Sequence, residues 1–291
     1  MTVFDLPAVR ALIDAALSED VGRGDLTTQL TVPPDLRTTA KVAAKQQGIL
    51  AGGPLVDRVF SALGARGETI THHVADGHAF AAGATLITIE GCAADLLTAE
   101  RTALNFLQRL CGVATLTRRY VDAVGGTKAR VVDTRKTTPG WRALEKYAVR
   151  MGGGHNHRLG LDDGILIKDN HLTAAGGVSA AVAAARRGAP HTVKIEVECG
   201  TLEQVDEALA AGADVLLLDN MPLDRVAAAV RHVGGRALVE ASGGVTLDTV
   251  RAIAETGVDM ISVGALTHSA PTIDLNMKID HKDTKTQRGS A

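Results

Sequence analysis

The chain has 291 residues, 31 Lys and Arg against 33 Asp and Glu, 45% hydrophobic residues and a formal net charge of −2. That length accommodates one large domain or two, while 2% aromatic residues and a slightly acidic balance exclude the basic, stacking surface of a nucleic-acid binder. Cys92, Cys111 and Cys199 stand far apart with no CxxC, and no apolar run approaches a membrane span, so a disulfide framework, a cysteine zinc site and a membrane anchor are excluded and a cytoplasmic enzyme is expected.

Apolar residues at helical spacing predict a helix over 6–17, closed by the turn residues Gly22 and Gly24. The RGD triplet at Arg23 to Asp25 has no extracellular context, so an adhesion role is set aside. Alternation over 37–50 and 68–89 predicts strands, with an amphipathic helix over 53–63 between them. The glycine-punctuated 76–91 stretch has the pattern of biotinyl and lipoyl carrier strands. It has no Lys between Thr69 and Glu90 to carry a cofactor. A strong helix is predicted over 94–110, with Glu100 and Arg101 in it.

Beyond that helix the pattern becomes strand-helix alternation at about twenty-residue intervals. Strands are expected over 129–132, 164–167, 192–197, 214–218, 237–240 and 260–263. Helices are expected over 202–211, 223–233 and 247–256, with Thr201 and Thr246 as N-caps and Gly212, Gly234 and Gly257 at their ends. Six strands fall short of the eight of a closed barrel. The fold class is therefore α/β: an incomplete (β/α) barrel behind an N-terminal α/β segment.

In such a barrel the chemistry lies at the strand C-termini. Here these ends read Asp133-Thr134-Arg135-Lys136, Lys168-Asp169-Asn170-His171, Glu196 with Glu198, Asp219-Asn220, and Glu240 followed by Ser242-Gly243-Gly244. Charged groups at five successive ends of otherwise apolar strands mark a functional face. Nine basic residues against four acidic ones between Lys128 and Lys168 point to a small, multiply anionic ligand. Ser242-Gly243-Gly244 and Gly264-Ala265 follow the last two strands. Glycines there let backbone N–H groups approach a phosphate. Lys136 and Lys168 also admit an imine-forming aldolase reading. His155 and His157 lack a third ligand nearby in sequence, which counts against a transition-metal site.

Across residues 19–280 the chain resembles the quinolinate phosphoribosyltransferase family. The resemblance rests on EDVGRGDLTT, ERTALNFLQRLCGVAT, DTRKTTPGWRALEKYAV, GGGHNHRLGLDDGILIKDNH, LLLDNM, VEASGGV and ISVGALTHS. Departures such as Cys199-Gly200 and Trp141 touch none of the charged positions.

The resemblance implies an N-terminal α/β sandwich over 1–111, joined by 271–291, and a catalytic incomplete barrel over 112–270. It implies a homodimer, or a higher oligomer of such dimers, in which the sandwich of one subunit covers the barrel mouth of the other. The implied reaction converts quinolinate and phosphoribosyl pyrophosphate to nicotinate mononucleotide, pyrophosphate and CO₂, with Mg²⁺ and no organic cofactor. Carried onto this chain, Arg135, His157 and Arg158 would hold the pyridine dicarboxylate with Thr134 beside them, and Arg101 would join from the neighbouring subunit. Lys136 and Lys168 would neutralise pyrophosphate, and Glu198 and Asp219 would take ribose hydroxyls or Mg²⁺. Ser242, Gly243, Gly244, Gly264 and Ala265 would hold the 5-phosphate. Neither nucleic acid nor membrane is an expected partner.

Overall fold

A computed structural model describes residues 2–65 and 67–280. The chain packs as two units. Among the described residues, the first comprises 2–65, 67–116, 138–153 and 270–280, and the second comprises 117–137 and 154–269; the part of the expected C-terminal contribution beyond 280 lies outside the described residues. The strands in chain order are β1 (Arg37–Ala44), β2 (Gly48–Ile49), β3 (Thr69–His72), β4 (Ala79–Phe80), β5 (Thr85–Cys92), β6 (Arg130–Val132), β7 (Ile165–Ile167), β8 (Ile195–Cys199), β9 (Val215–Asp219), β10 (Leu238–Ser242), β11 (Met260–Ser262) and β12 (Leu275–Ile279).

The first unit is built on a four-stranded antiparallel sheet in the order β12-β1-β5-β3. In β1 the residues Thr38, Ala40, Val42 and Ala44 are buried while those between them are not, the period-2 pattern of a sheet with one covered face. The returning strand β12 pairs with β1 from Ala40↔Ile279 to Ala44↔Leu275. The helix Gly53–Leu63 buries Leu55, Val56, Val59 and Phe60 on one face. Asp76 accepts from the backbone N–H groups of Gly52 and Gly53 at 2.8 and 2.9 Å, satisfying donors that a helix start leaves open.

The helix expected over 94–110 runs much further, Ala93–Ala123. Within it, Gly112 has no side chain for a steric reason. A Cβ there would sit 2.0 Å from the carbonyl oxygen of Pro271, so the helix meets the returning C-terminal segment backbone to backbone.

The helix Arg142–Met151 lies inside the stretch that the sequence division at 111/112 gives to the barrel, yet it packs with the first unit. The reason is specific. Glu145 is fully buried and accepts from Arg109 at 2.7 Å and from the Thr138 hydroxyl at 2.8 Å, and Trp141 stacks on Phe106 with ring centroids 4.7 Å apart. A buried carboxylate needs such partners, and Arg109, like Phe106, sits on the long helix.

The second unit is a six-stranded parallel sheet in the order β6-β11-β10-β9-β8-β7, with helices between successive strands from β7 onward. All six expected strands are present. Among the described residues no pairing joins β7 to β6, so the cylinder stays open there. Thr201 caps the helix Leu202–Ala210 as expected, accepting from the Gln204 N–H at 3.3 Å. Thr246 does not cap its helix. That helix begins later, at Val250, because residues 247–249 form turns. No helix among the described residues is long and apolar enough to cross a membrane.

Candidate active site

The C-terminal ends of the parallel strands surround a cavity of about 190 Å³. Thr134, Arg135, Lys136, His157, Arg158, Lys168, Asp219 and Ser242 line it, together with Leu166, Leu217, Glu240 and Ser262. Eight residues singled out from the sequence therefore converge from β6, β7, β9, β10 and the loop after residue 154. Parallel strands bring this about, because each rung sets neighbouring strand ends level.

Glu198 reaches the rim through Lys168, whose Nζ lies 2.5 Å from Glu198 Oε2. Gly264 lies against Lys136, since a Cβ on Gly264 would come 3.2 Å from Lys136 Cδ. The Thr267 hydroxyl donates to the Lys136 carbonyl at 2.8 Å. Ala265 opens the four-residue helix Ala265–His268 beside them. Gly243 and Gly244 line a neighbouring cavity of about 310 Å³ behind the β10 loop. Arg101 is exposed on the long helix and belongs to the first unit.

The arginine-bearing loop is held by buried acids that the sequence placed at the strand ends but to which it gave no individual role. Asp133 is fully buried and accepts from Asn156 Nδ2 at 2.6 Å and from the His157 N–H at 2.8 Å. His157 Nδ1 accepts the Arg158 backbone N–H at 2.7 Å, which assigns the ring proton to Nε2. That nitrogen lies 3.0 Å from Glu196 Oε2 and 3.7 Å from Glu240 Oε1. The ring named above as a contact for the pyridine carboxylates thus turns both nitrogens toward protein groups here.

Glu240 is 1% exposed. Burial first, then the charge of Glu196, raises its carboxyl to about 7. The ligand atoms of His157, Glu196 and Glu240 lie within 4.8 Å of one another. Their sequence signal was faint: alternating acids Glu196 and Glu198 in IEVEC and a single acid, Glu240, in LVEAS.

The positive groups line the same cavity as Glu240. Burial and the neighbouring Arg135 pull the Arg158 guanidinium below its usual range, while Glu196 and Asp163 oppose that. Arg158 Nη1 donates to the Gly164 carbonyl at 3.1 Å, which anchors one edge of the guanidinium. Arginine forks so anchored suit planar carboxylates. Of the other basic residues in the Lys128 to Lys168 window, Lys146 is buried in the first unit, and Arg150 lies 5.9 Å from the Tyr147 ring centroid. The cysteines are free thiols, and burial pushes Cys111 and Cys199 up to about 12, which leaves neither as a ready nucleophile.

Comparison with known proteins agrees with this geometry. Residues 25–111 match the N-terminal domain model of quinolinate phosphoribosyl transferase, and residues 113–278 match its C-terminal domain model. The chain is 45% identical over 271 residues to a probable nicotinate-nucleotide pyrophosphorylase [carboxylating] of Bacillus subtilis, covering 93% of each chain. It is 45% identical over 283 residues to the nicotinate-nucleotide pyrophosphorylase [carboxylating] of Mycobacterium leprae, covering 94% of this chain and 98% of that one. Among solved structures, the nicotinate-nucleotide pyrophosphorylase from Francisella tularensis superposes with a TM-score of 0.91 at 39% identity, covering 96% of this chain and 99% of that one. The two domain matches, the relatives and the shared fold give one answer: the chain belongs to the quinolinate phosphoribosyltransferase family.

Proposed function

We propose that this chain transfers the phosphoribosyl group of phosphoribosyl pyrophosphate to quinolinate with loss of CO₂, giving nicotinate mononucleotide and pyrophosphate. The observation that carries the reading is the convergence of Arg135, Lys136, Arg158 and Lys168 on one cavity whose rim also holds Asp219 and Ser242. Quinolinate is a planar dianion and the co-substrate a polyanion, so both require concentrated positive charge.

The chemistry follows from the substrates. The pyridine nitrogen bonds to C1 of the ribose as the C1–O bond to pyrophosphate breaks. Lys136 and Lys168 stabilise the departing charge. The nitrogen then bears positive charge next to the C2 carboxylate. When CO₂ leaves, the C–C bonding electrons stay on C2 in the plane of the ring, where that cation stabilises them, and C2 then takes up a proton. The substrate is its own electron sink, and no organic cofactor is required.

Glu198 and Asp219 fit Mg²⁺. They lie at or next to the last residues of the neighbouring strands β8 and β9 and offer hard oxygen ligands, and Mg²⁺ characteristically takes one or two carboxylates with substrate phosphates. Bound there it would neutralise pyrophosphate charge. We read the active unit as a cytoplasmic homodimer in which Arg101 of a partner copy completes the site. Leu26 and Leu30, 71% and 83% exposed on the short helix Leu26–Thr31, supply apolar surface for a partner to cover.

The test is turnover of quinolinate labelled only in its 2-carboxylate, with phosphoribosyl pyrophosphate and Mg²⁺. Release of labelled CO₂ from the 2-carboxylate, dependent on the co-substrate, is expected. Label retained in the product, or turnover of nicotinate in place of quinolinate, overturns the reading.

A further inference from the structure

Asn220 is the one non-glycine among the described residues with a left-handed backbone, at φ 52°. Such a conformation is unfavourable for most residues and less so for Asn, and it persists where the surroundings require it. Here they are well defined. β9 and β10 end together at the pair Asp219↔Ser242. The Asn220 N–H adds one more bond to this ladder, donating to the Ser242 carbonyl at 2.9 Å. The left-handed turn then folds the side chain back across the strand ends.

That side chain meets both elements at once. Its Nδ2 donates to Asp219 Oδ2 at 2.8 Å. Its amide also lies over the α-carbon of Gly243: a Cβ there would come 2.2 Å from Asn220 Oδ1 and 2.4 Å from Cγ. Gly243 is itself left-handed, at φ 94°. The glycine of the loop is therefore needed for its backbone conformation and for the room it leaves Asn220.

We propose that Asn220 is a positioning residue that sets the distance between the Asp219 carboxylate and the Ser242-Gly243-Gly244 loop, and so matches the site to the length of a five-carbon sugar phosphate. The inference rests on the reading that Asp219 takes the ribose and the glycine loop the 5-phosphate. In phosphoribosyl pyrophosphate the ring hydroxyls and the 5-phosphate are separated by a fixed covalent span. Two subsites on separate strands bind such a ligand well only if their own separation is held. One side chain packed on the loop and bonded to the acid does this without touching the ligand. An asparagine serving only to make the turn would not need its amide on Asp219.

Asn220→Gly separates the two accounts, because glycine adopts a left-handed backbone freely. In the full chain its melting temperature is expected to stay level or rise. Its KM for phosphoribosyl pyrophosphate is expected to rise about tenfold or more, as loss of a hydrogen bond to a charged group does. Its KM for quinolinate is expected to stay within about twofold, since Arg135 and Arg158 are untouched. Asn220→Asp keeps the size but sets a second carboxylate against Asp219, and should weaken phosphoribosyl pyrophosphate further. Calorimetric binding of phosphoribosyl pyrophosphate with Mg²⁺ provides a second readout that needs no turnover.

A KM and affinity for phosphoribosyl pyrophosphate within about twofold of the unaltered chain overturn the proposal. So does a parallel loss of stability and of both KM values, which marks a folding role. If the unaltered chain binds phosphoribosyl pyrophosphate but does not consume quinolinate, the reaction assigned above fails, and the Asn220→Gly affinity still decides this proposal. No binding by the unaltered chain overturns both.

Discussion

Lys168 Nζ and Glu198 Oε2 lie 2.5 Å apart, an ion pair across the C-terminal ends of the adjacent strands β7 and β8. The Lys168 side chain is 45% exposed and the Glu198 side chain 15% exposed. The pair therefore combines a cation open to an incoming anion with a carboxylate that orients it. Its position suits a switch of partners, in which pyrophosphate takes the lysine.

Lys168→Ala is accordingly expected to lower kcat/KM for phosphoribosyl pyrophosphate by about a hundredfold or more, the usual cost of removing a group aimed at transition-state charge. Thermal stability should change little, because half-exposed ion pairs contribute little. Steady-state kinetics and a melting curve on the same preparation check both parts. A tenfold or smaller loss would remove Lys168 from the reacting charge.

The acids under the site predict an unusual pH dependence. Glu240 is faced by Glu196, His157, Asp133 and Ser262, and burial and Glu196 raise its carboxyl from 4.5 to about 7 in the fold. A group that holds its proton more tightly when folded contributes stability that is complete below its unfolded pKa and is lost as pH rises through the folded one. Between roughly pH 4.5 and 7 this residue therefore works against stability with rising pH. Glu240→Gln removes the titration. Relative to the unaltered chain, the variant should melt higher at pH 8 than at pH 5. Equal differences at the two pH values count against the assignment.

The proposed sharing of the site between subunits is open to subunit mixing. Arg101→Ala and Lys136→Ala are each expected to be inactive. If Arg101 serves the partner's site, a mixed dimer has one site lacking both residues and one intact. Random exchange of equal amounts then restores about a quarter of the sites, since half the dimers are mixed. Activity measured after exchange, with mixing confirmed by mass, provides the check. If no activity returns, Arg101 acts within its own chain or in folding.

Much of this protein is written locally. Period-2 burial in β1 and the six apolar runs of the second unit follow from side-chain alternation and strand propensity, which need only near neighbours. The polar strand ends, from Thr134-Arg135-Lys136 to Ser242-Gly243-Gly244, were legible because charge at the end of an apolar strand has no use in a core. What the sequence could not decide was partnership. The basic residues between Lys128 and Lys168 look like one cluster, but Glu145 and Trp141 carry the helix Arg142–Met151 into the first unit. Lys146 is buried there and is not among the cavity-lining residues. Glu196 and Glu240 read as two isolated acids until β8 and β10 bring them to His157. The left-handed turn at Asn220 has no periodic signature, because its reason is Gly243, more than twenty residues on. Backbone pattern is set by neighbours in the chain, whereas the charge state and aim of a buried side chain are set by groups that only the fold brings within a few ångströms.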